Sequence, residues 1–448
     1  MRVAVVGGGI AGLAAAHELL LQGATPIVFD ADARLGGKLR TEPFAGVALE
    51  LAPDSFLARR PEAVQLCEEL GLRDRLVAPE ATHAFVYARG RLRRLPQKMV
   101  LGVPTDPIAL ARTGILSGWG VARAALEPLL PGRPLGEDDA LGAVIRRRFG
   151  NEVTDRLVDP LLGGINAGNV DELSIDTVAP QIAAAARRDR SLTRALRSTP
   201  APPTSDDPVF LTLPDGLGTL VDALVSSITD RGGEIHAADL VTGIAPREVA
   251  SRSGTYDVLG VVLATPSYVT APLVETFAPG VASTLRSIPY ASVVMALLAY
   301  DTPRHLDGSG FLVPRSEGLL MTAASWSTSK WAHLARPGRV IMRVSAGRFG
   351  DDRAVHLDDG ELVDRLRRDL VTTMGLRDEP VEVRVVRWPR AFPQYPPGHR
   401  ARVDAAVAQL ADAAPTVALA GAALDGVGIP ACIGSGRRAA RSVVAAIG

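Results

Sequence analysis

Three glycines near the amino terminus are spaced so that they could bind the phosphates of a dinucleotide. Gly7, Gly9 and Gly12 fit the pattern G-x-G-x-x-G, between an apolar run and an alanine-rich stretch. That setting predicts a strand before the glycines and a helix after them. The first glycine then permits a tight turn, the second lets backbone approach a pyrophosphate, and the third lets the helix pack on the strand. The N–H groups that begin the helix would face the phosphates.

An acidic residue follows the glycines at the distance typical of a ribose contact. The apolar run from Thr25 to Phe29 predicts a second strand, and Asp30 ends it, roughly twenty residues beyond the turn. A carboxylate here accepts hydrogen bonds from ribose hydroxyls, so Asp30 favours a nucleotide without a 2′-phosphate. A glycine-rich turn that merely connects two elements is the alternative. The order of strand, glycines, helix, strand and acid argues against it.

A second candidate anion site lies in the last forty residues. Thr416 to Ala420 predicts a buried strand that ends at Gly421. Another glycine-bearing stretch, Val427 to Ile429, leads into a helix predicted from about Ala431 to Ile447. Free N–H groups at such a helix start favour an anion. A strand and helix that simply close the sheet are the alternative.

The signal at the amino terminus continues beyond the acidic residue. Arg34, a glycine pair at Gly36 and Gly37, and Lys38 follow within eight residues of Asp30. This stretch resembles the FAD-binding signature of the amine oxidase, phytoene desaturase and protoporphyrinogen oxidase superfamily. There, a basic residue and a glycine pair lie near the FAD phosphates and the flavin. The resemblance therefore implies FAD as the cofactor.

The elements that must position these residues follow from the periodicity of the chain. Apolar positions recur at three- and four-residue spacing from Pro107 to Leu130 and from Ala140 to Leu162, which predicts a helical insert. A proline-rich linker, 198–204, ends this insert. Beyond it, the buried-strand run Val258 to Ala264 suggests that the chain returns to the nucleotide-binding sheet. Strand-like stretches between 293 and 388 predict a second, largely antiparallel sheet with helix 359–374 on it.

Length and element order indicate the fold class. With 448 residues the chain exceeds the size of a single core, so two or three domains are expected. We predict an α/β protein with an FAD-binding Rossmann-like domain, a mixed-sheet substrate domain and an inserted all-helical domain, similar to amine oxidases and protoporphyrinogen oxidases. The predicted boundaries are 1–78, 205–270 and 412–448 for the FAD-binding domain, 79–95 and 271–411 for the substrate domain, and 96–197 for the helical domain.

Charge and cysteine content narrow the partners and the compartment. The formal net charge is zero, which gives no reason to expect nucleic acid as a partner. Cys67 and Cys432 form neither a CxxC nor a zinc pattern and suit a reducing cytosol. No apolar run is long enough to span a bilayer without prolines, so we predict no transmembrane segment and a cytoplasmic location. Helix 107–127 with Trp119 could lie on a membrane surface, although ordinary core packing is favoured.

Several passages together resemble the coproporphyrinogen III oxidase branch of the protoporphyrinogen oxidase family. They occur in family order from end to end, so the resemblance covers essentially the whole chain. The helical-domain passages and those around Ser329 and Trp388 select this branch. The passages are 53–57, 101–105, 148–153, 159–165 with Ala167 and Gly168, 288–292, 310–314, 329–331, 387–389, 393–395 and 425–430.

The resemblance implies a reaction in heme biosynthesis. Coproporphyrinogen III would lose six electrons in three two-electron steps to become coproporphyrin III. FAD would accept hydride and pass electrons to O2 with release of H2O2. The chain has no second G-x-G-x-x-G for a nicotinamide, which agrees with O2 as the acceptor. Flavin N5 carries the chemistry, so no side chain is assigned a catalytic role and no metal is expected.

The resemblance also implies which residues contact each ligand. The substrate carries propionates, so basic residues should face it: Arg60 is the first candidate, followed by Arg343 and Arg348, each with a surface salt bridge as the alternative. Two departures from the family affect these assignments: Ala52 replaces a glycine before Pro53, and Ser345 stands where relatives often have tyrosine. The expected FAD contacts are Gly7, Gly8, Gly9, Ile10, Ala11, Gly12, Asp30, Ala31, Arg34, Lys38, Ala52, Pro53, Asp54, Ser55, Val241, Trp388, Gly421, Val427, Gly428 and Ile429.

Other functions stay open from the sequence. Protoporphyrinogen IX is the nearest alternative substrate. A flavin amine oxidase or carotenoid desaturase would need an aromatic cage or a long apolar tunnel, and the branch-specific passages disfavour both. A catalytically silent carrier that binds FAD and porphyrin would have the same cofactor motifs. Transient contact with the next enzyme of the heme pathway is a further expectation.

Overall fold

The computed structural model describes residues 1–130, 135–198, 208–245 and 247–448. Of the predicted linker 198–204, only Ser198 lies within these residues. The strands are β1 Arg2–Val6, β2 Thr25–Phe29, β3 Thr41–Phe44, β4 Val47–Glu50, β5 Phe56–Leu57, β6 Phe85–Ala88, β7 Arg91–Arg94, β8 Met99–Val100, β9 Val103–Pro104, β10 Phe210–Leu211, β11 Glu234–His236, β12 Val241–Ala245, β13 Glu248–Ser251, β14 Thr255–Asp257, β15 Gly260–Leu263, β16 Tyr290–Asp301, β17 Gly310–Leu312, β18 Met321–Trp326, β19 Arg339–Ala346, β20 Glu382–Pro393 and β21 Val417–Leu419.

Helices connect and cover these strands. One segment, Thr154–Gly163, is a π-helix, and single 3₁₀ turns occur at Arg73–Arg75, Glu127–Leu129, Arg315–Glu317 and Ala332–Leu334. The α-helices are α1 Ile10–Leu21, α2 Pro61–Glu69, α3 Pro107–Thr113, α4 Gly118–Ala125, α5 Leu141–Phe149, α6 Asn151–Val153, α7 Gly164–Asn166, α8 Ile175–Val178, α9 Pro180–Arg188, α10 Leu192–Arg197, α11 Gly218–Asp230, α12 Ser267–Val274, α13 Pro279–Ser287, α14 Ser327–Lys330, α15 Asp359–Met374, α16 His399–Ala413, α17 Ala422–Asp425 and α18 Ile429–Ile447.

The chain forms two compact units. Unit 1 comprises Met1–Ala78, Pro208–Pro289 and Arg400–Gly448, and unit 2 comprises Pro79–Asp207 and Tyr290–His399. Unit 1 thus collects three separate stretches, in the order predicted for the FAD-binding domain. Its second stretch reaches Pro289 instead of 270, because α12 and α13 belong to it, and its third stretch begins at Arg400 instead of 412.

A parallel five-stranded sheet is the centre of unit 1. Its strand order is β11-β2-β1-β15-β21, and every neighbouring pair is parallel. Strand β21 from the last stretch pairs with β15, and β15 pairs with β1, so the predicted return of the chain to this sheet is confirmed. The strands are short apolar runs such as Val3–Val6 because both faces of the sheet are covered.

Helices α1 and α18 pack against each other in unit 1 with almost no space between their backbones. A Cβ atom added at Gly436 of α18 would lie 2.0 Å from the carbonyl oxygen of Ala11 in α1. Only a glycine fits at such a distance, since real side chains do not approach backbone oxygen that closely. Because Gly436 has no side chain, the first and last helices of the chain can pack directly against each other.

A polar cluster joins the same two helices to α2. His17 of α1 is 3% exposed, and its Nε2 lies 3.3 Å from Glu69 Oε2. Arg437 of α18 donates to the same carboxylate at 2.5 Å, and Ser227 lies 3.2 Å from His17 Nδ1. Burial lowers the pKa of His17, and Arg437 and Arg231 lower it further, whereas Glu69 opposes them. His17 is therefore neutral in the folded protein near neutral pH.

Stability should consequently fall in mild acid. The pKa of His17 is lower in the folded protein than its ordinary value of 6.5, so the unfolded chain binds the proton more readily. The contribution of neutral His17 is complete above about pH 6.5 and is lost as the pH decreases toward the folded-state pKa. Between pH 7.5 and 5.5, the wild type should therefore lose more thermal stability than His17→Gln, as measured by differential scanning fluorimetry. Equal losses would contradict this account.

Unit 2 is built on a mixed seven-stranded sheet. Its order is β20-β16-β19-β18-β17-β6-β7, with one parallel pair, β17 with β6, among antiparallel ones. The predicted hairpin at 84–95 forms β6 and β7. Helix α15 packs on the sheet through Leu362, Leu366 and Leu370, all buried. The predicted mixed sheet and the helix at 359–374 are confirmed.

The helical part of unit 2 is more broken than predicted. The two long predicted helices become α3 and α4, then α5, α6 and the π-helix, with breaks at Gly114 and Gly150, which have φ of 65° and 87°. Glu127 anchors this part, since it is fully buried and accepts hydrogen bonds from Ser191 Oγ at 2.8 Å and Leu192 N at 2.7 Å. Arg148 is also buried, and its Nη1 lies 3.7 Å from Glu127 Oε1, so its positive charge balances the charge of Glu127.

The core packing favoured for helix 107–127 is confirmed for part of the stretch and is wrong for Trp119. Trp119 is 87% exposed and Leu129 is 77% exposed, whereas Leu110 and Ile115 of the same stretch are buried. The spacing of apolar residues predicts a helix but does not say which face a neighbour will cover. The membrane-surface alternative stays a prediction. Among the helices of the described residues, none has both the length and the apolar character needed to cross a bilayer.

Candidate functional site

The carboxyl edge of the parallel sheet collects residues that the sequence places far apart. Gly7 follows β1, Asp30 follows β2 and Gly421 lies just beyond β21. The N–H of Gly7 donates to Phe29 O at 2.8 Å, and Gly421 lies beside the Ala264 carbonyl that follows β15. Open parallel sheets bind ligands at this edge. Predicted contacts from the first and last stretches are thus brought to one edge of unit 1.

The glycine turn has the geometry that a pyrophosphate requires. A Cβ at Gly12 would lie 1.8 Å from the carbonyl oxygen of Gly7, so this position accepts hydrogen only. Gly9, the N-cap of α1, has no atom within 4 Å of a Cβ placed there, and no side chain caps the helix. The first backbone N–H groups of α1 therefore have no side-chain cap, and the space beside Gly9 is open.

Asp30 lies against the glycine turn, where the sequence predicts a ribose contact. Its carboxylate accepts hydrogen bonds from Gly8 N at 2.5 Å and from Asp32 N at 2.8 Å. Burial raises the pKa of Asp30, and both N–H donors oppose that rise. Ala31, next in the chain, is exposed. A fixed carboxylate beside the turn can accept the hydroxyls of a ribose.

The glycine pair after Asp30 folds back on the first turn. Gly36 N donates to Gly8 O at 2.8 Å, and a Cβ at Gly37 would lie 3.3 Å from Gly9 Cα. Arg34 holds this loop, since its guanidinium donates to Gly37 O at 3.0 Å and to Leu39 O at 3.2 Å. Arg34 is thus engaged with backbone carbonyls, a role that sequence alone could not assign.

Lys38 extends from that loop toward the start of α18. Desolvation by the surrounding protein lowers the pKa of Lys38, although its side chain is accessible to solvent. Cys432, in the first turn of α18, interacts electrostatically with Lys38, and burial raises the pKa of its thiol to about 11. An ammonium therefore lies near the α18 N-terminus, where Gly428 is the N-cap and no side chain caps the helix.

The loop from Ala52 to Ser55 lies between β4 and β5, as predicted, and its side chains are half-buried. Glu50, which the sequence analysis missed, fixes the start of the loop. It is 6% exposed and accepts hydrogen bonds from Thr41 Oγ1 and from Leu217 N, just before α11. Ser55 Oγ donates to Asp54 at 3.1 Å. A buried strand-end carboxylate gave no distinctive signal in the sequence.

The remaining predicted cofactor contacts differ in location. Val241 begins β12 in unit 1, two residues after Asp239, whose N–H donates to Asp30 O at 2.8 Å. Val427 lies one residue before the α18 N-cap. Trp388 belongs to unit 2, where it pairs with Val293 across a β-bulge in β16 and β20. Its contact with a cofactor stays a prediction.

The three candidate arginines for substrate lie in three different settings. Arg60 is exposed and is the N-cap residue of α2 in unit 1. Arg343 is 8% exposed on β19 in unit 2, paired with Leu297 and Ser325 of neighbouring strands. Arg348 is half-buried just beyond β19. The structure does not bring Arg60 together with the other two within one unit.

The residues of unit 1 fit a dinucleotide cofactor. Open space at Gly9, the uncapped start of α1 and the carboxylate of Asp30 match a pyrophosphate and a ribose. The uncapped start of α18 and the nearby ammonium of Lys38 add positive potential at a second place on the same edge. Both helix starts therefore favour a ligand that carries negative charge at two places.

Comparison with known proteins gives consistent results. The family described as "Flavin containing amine oxidoreductase" matches residues 10–444. Coproporphyrinogen III oxidase of Mycobacterium tuberculosis strain H37Rv is 37% identical over 449 residues, covering 99% of this chain and 97% of the relative. The Bacillus subtilis strain 168 protein of the same name is 32% identical and covers 98% and 96%. A crystal structure from Exiguobacterium sp. 255-15, provisionally described as a protoporphyrinogen oxidase, superposes with a TM-score of 0.90 at 30% identity, covering 99% and 98%.

Proposed function

The chain belongs to the flavin containing amine oxidoreductase family, and on that premise we propose that it is an FAD-dependent oxidase that forms coproporphyrin III from coproporphyrinogen III. The observation that carries the proposal is similarity to coproporphyrinogen III oxidases across 99% of the chain. Similarity of this extent includes both glycine-rich segments and all of unit 2. O2 is the proposed acceptor, H2O2 the second product and heme biosynthesis the setting.

Bound FAD would supply the redox chemistry by accepting hydride from the substrate. The residues of the chain itself bind and orient the cofactor. The turn at Gly7 to Gly12 and the start of α1 hold the pyrophosphate, and Asp30 holds the ribose. The start of α18, with Lys38, stabilises negative charge on the isoalloxazine end. No side chain is assigned a proton-transfer step, because formation of the aromatic macrocycle drives the reaction.

The three arginines Arg60, Arg343 and Arg348 are proposed to pair with propionates of the substrate. Coproporphyrinogen carries four of these groups, and a guanidinium binds a carboxylate through two parallel hydrogen bonds. We also propose a cytoplasmic location, which the two buried free cysteines support. Transient contact with the enzyme that consumes coproporphyrin remains part of the proposal.

The proposal is tested by turnover under air. Purified protein is mixed with freshly reduced coproporphyrinogen III or protoporphyrinogen IX, and porphyrin fluorescence and H2O2 are followed together. We expect coproporphyrinogen III to be the better substrate by kcat/KM, with one H2O2 for each two-electron step. Protein-free samples measure spontaneous oxidation.

Each alternative predicts a different result of the same experiment. Faster oxidation of protoporphyrinogen IX would support the alternative that the provisional description of the Exiguobacterium protein suggests. No turnover of either substrate by protein that contains FAD would indicate a catalytically silent carrier. Oxidation of amines alone would place the chain with other members of the family.

A further inference from the structure

Unit 2 contains a buried carboxylate beside two arginines. Asp159 of the π-helix is 6% exposed, and its Oδ2 lies 3.5 Å from Arg315 Nε. The same guanidinium donates through Nη2 to Gly168 O at 2.6 Å and to Phe349 O at 3.3 Å. Arg315 is therefore held in place through Nε and Nη2, while its Nη1 takes part in none of these contacts.

Arg348 is the second arginine, and it has no partner of its own. Its Nε is buried without a hydrogen bond, and no carboxylate of the described residues lies within 4.0 Å of its guanidinium. The nearby Asp351 is already paired with Arg353 at 2.7 and 2.8 Å. The cluster of Asp159, Arg315 and Arg348, here called the arginine cluster, thus has one excess positive charge.

Electrostatics agree with this count of charges. Burial and the neighbouring Arg315 together lower the pKa of Arg348 to about 10, whereas Asp159 acts in the opposite direction. A guanidinium with this pKa is still charged at neutral pH. An arginine that is desolvated and repelled by a second arginine gains more from an anionic ligand than a surface arginine does.

The backbone holds the cluster in place. Phe349 N donates to Ala167 O at 2.7 Å, just beyond α7, and Arg348 and Asp351 exchange two backbone hydrogen bonds at 3.1 and 2.8 Å. Val170 N donates to Asp159 at 3.3 Å. Asp159 itself sits in a π-helix of ten residues, a conformation that is rare and is frequent at functional sites.

We propose that Arg348 and Arg315 form a binding site for one carboxylate group, with Arg348 as the main ligand. The inference rests on the proposed function, because the proposed substrate and product carry the carboxylates. The excess of a single positive charge matches a monoanionic propionate, while Asp159 opposes a doubly charged phosphate. Among the three arginines suggested by the sequence, the structure thus favours Arg348 over the exposed Arg60.

The test uses the stable product as a probe. Coproporphyrin III is titrated into the purified flavoprotein, and its Kd is measured by fluorescence, alongside KM and kcat for coproporphyrinogen III. Arg348→Gln should raise Kd and KM roughly 10- to 100-fold, the loss expected for one charged hydrogen-bonded contact, with kcat changed little. Arg348→Lys, which keeps the charge but loses the fork, should give an intermediate Kd.

Arg365→Gln is the matched control, since it removes one charge from unit 2 but from an exposed arginine of α15 that pairs with Glu361 at 2.6 Å. It should leave Kd within twofold. Unchanged Kd and KM in a folded Arg348→Gln protein would overturn the proposal. If that variant fails to fold, an unchanged Kd in Arg348→Lys would overturn it instead. Wild-type protein that binds coproporphyrin through Arg348 but oxidises no coproporphyrinogen would refute the proposed function and support the carboxylate site.

Discussion

Gly12→Ala should abolish FAD binding and lower the yield of folded protein, whereas Gly9→Ala should fold normally and lose FAD. At Gly12 an added Cβ would lie 1.8 Å from the Gly7 carbonyl oxygen, so the turn between β1 and α1 cannot close. The cost exceeds the roughly 1–3 kcal/mol typical of overpacking, because the clash is with backbone. At Gly9 the backbone is extended, and apart from the chain neighbours no atom lies within 4 Å of an added Cβ. Its new methyl group would take the space that the pyrophosphate needs.

The measurement is the flavin-to-protein ratio after purification, with thermal unfolding followed in parallel. Gly118→Ala is the matched control, because Gly118 also lies at the start of a helix and a Cβ added there would have no atom within 4 Å. It should retain flavin and stability. Full flavin content in Gly9→Ala would show that this glycine does not approach the cofactor, and a stable Gly12→Ala would contradict the geometry of the turn.

Local signals made the first part of unit 1 predictable. Strand, glycine turn, helix and acid all lie within the first thirty residues, so these elements could be predicted without knowledge of long-range contacts. Helix α15 was predictable for the same reason: Asp358 caps it by accepting from Glu361 N at 2.9 Å, its leucines recur every four residues, and Gly375 ends it in the left-handed region. The return of β21 to the sheet was predictable because its short apolar run needs two covered faces.

Other elements lacked such signals. Helix α12 contains Pro272, which normally argues against a helix, but the helix spans only Ser267–Val274 and tolerates it. Unit 1 includes this helix, so its second stretch extends beyond the predicted boundary at 270. Lys38 and Arg34 are both basic and four residues apart, and only the fold shows that Arg34 binds loop carbonyls while Lys38 interacts electrostatically with Cys432 of α18.

The arginine cluster shows the limit of sequence reasoning about the site. More than 30 residues separate Asp159 from Arg315 and Arg315 from Arg348 in the sequence. Each of the three, taken alone, could equally be one partner of an ordinary salt bridge. Their proposed role as an anion site follows from the excess positive charge that appears only when the fold brings the three together. Arg348 was a weak candidate in the sequence for this reason, and Arg315 was not considered.

Gly436→Ala should destabilise unit 1 strongly and release FAD, although alanine is normally the better helix former. In the middle of α18 the added Cβ would lie 2.0 Å from Ala11 O and 3.2 Å from Ala15 N, both backbone atoms of α1. The two helices must separate, which breaks the His17, Glu69 and Arg437 cluster and displaces the start of α1 from the sheet edge. A loss of several kcal/mol outweighs the gain of about 1 kcal/mol in helix propensity.

Gly434→Ala in the same helix provides the matched comparison for Gly436→Ala. There the nearest atoms are Arg438 Nη1 at 3.3 Å and Glu62 Cγ at 3.4 Å, parts of flexible side chains that can move. Only the gain in helix propensity remains, so Gly434→Ala should melt at the wild-type temperature or slightly above it. The test is to measure thermal unfolding and flavin content of the two variants side by side. If both melted alike, close packing of α1 on α18 would not be what joins the two ends of the chain.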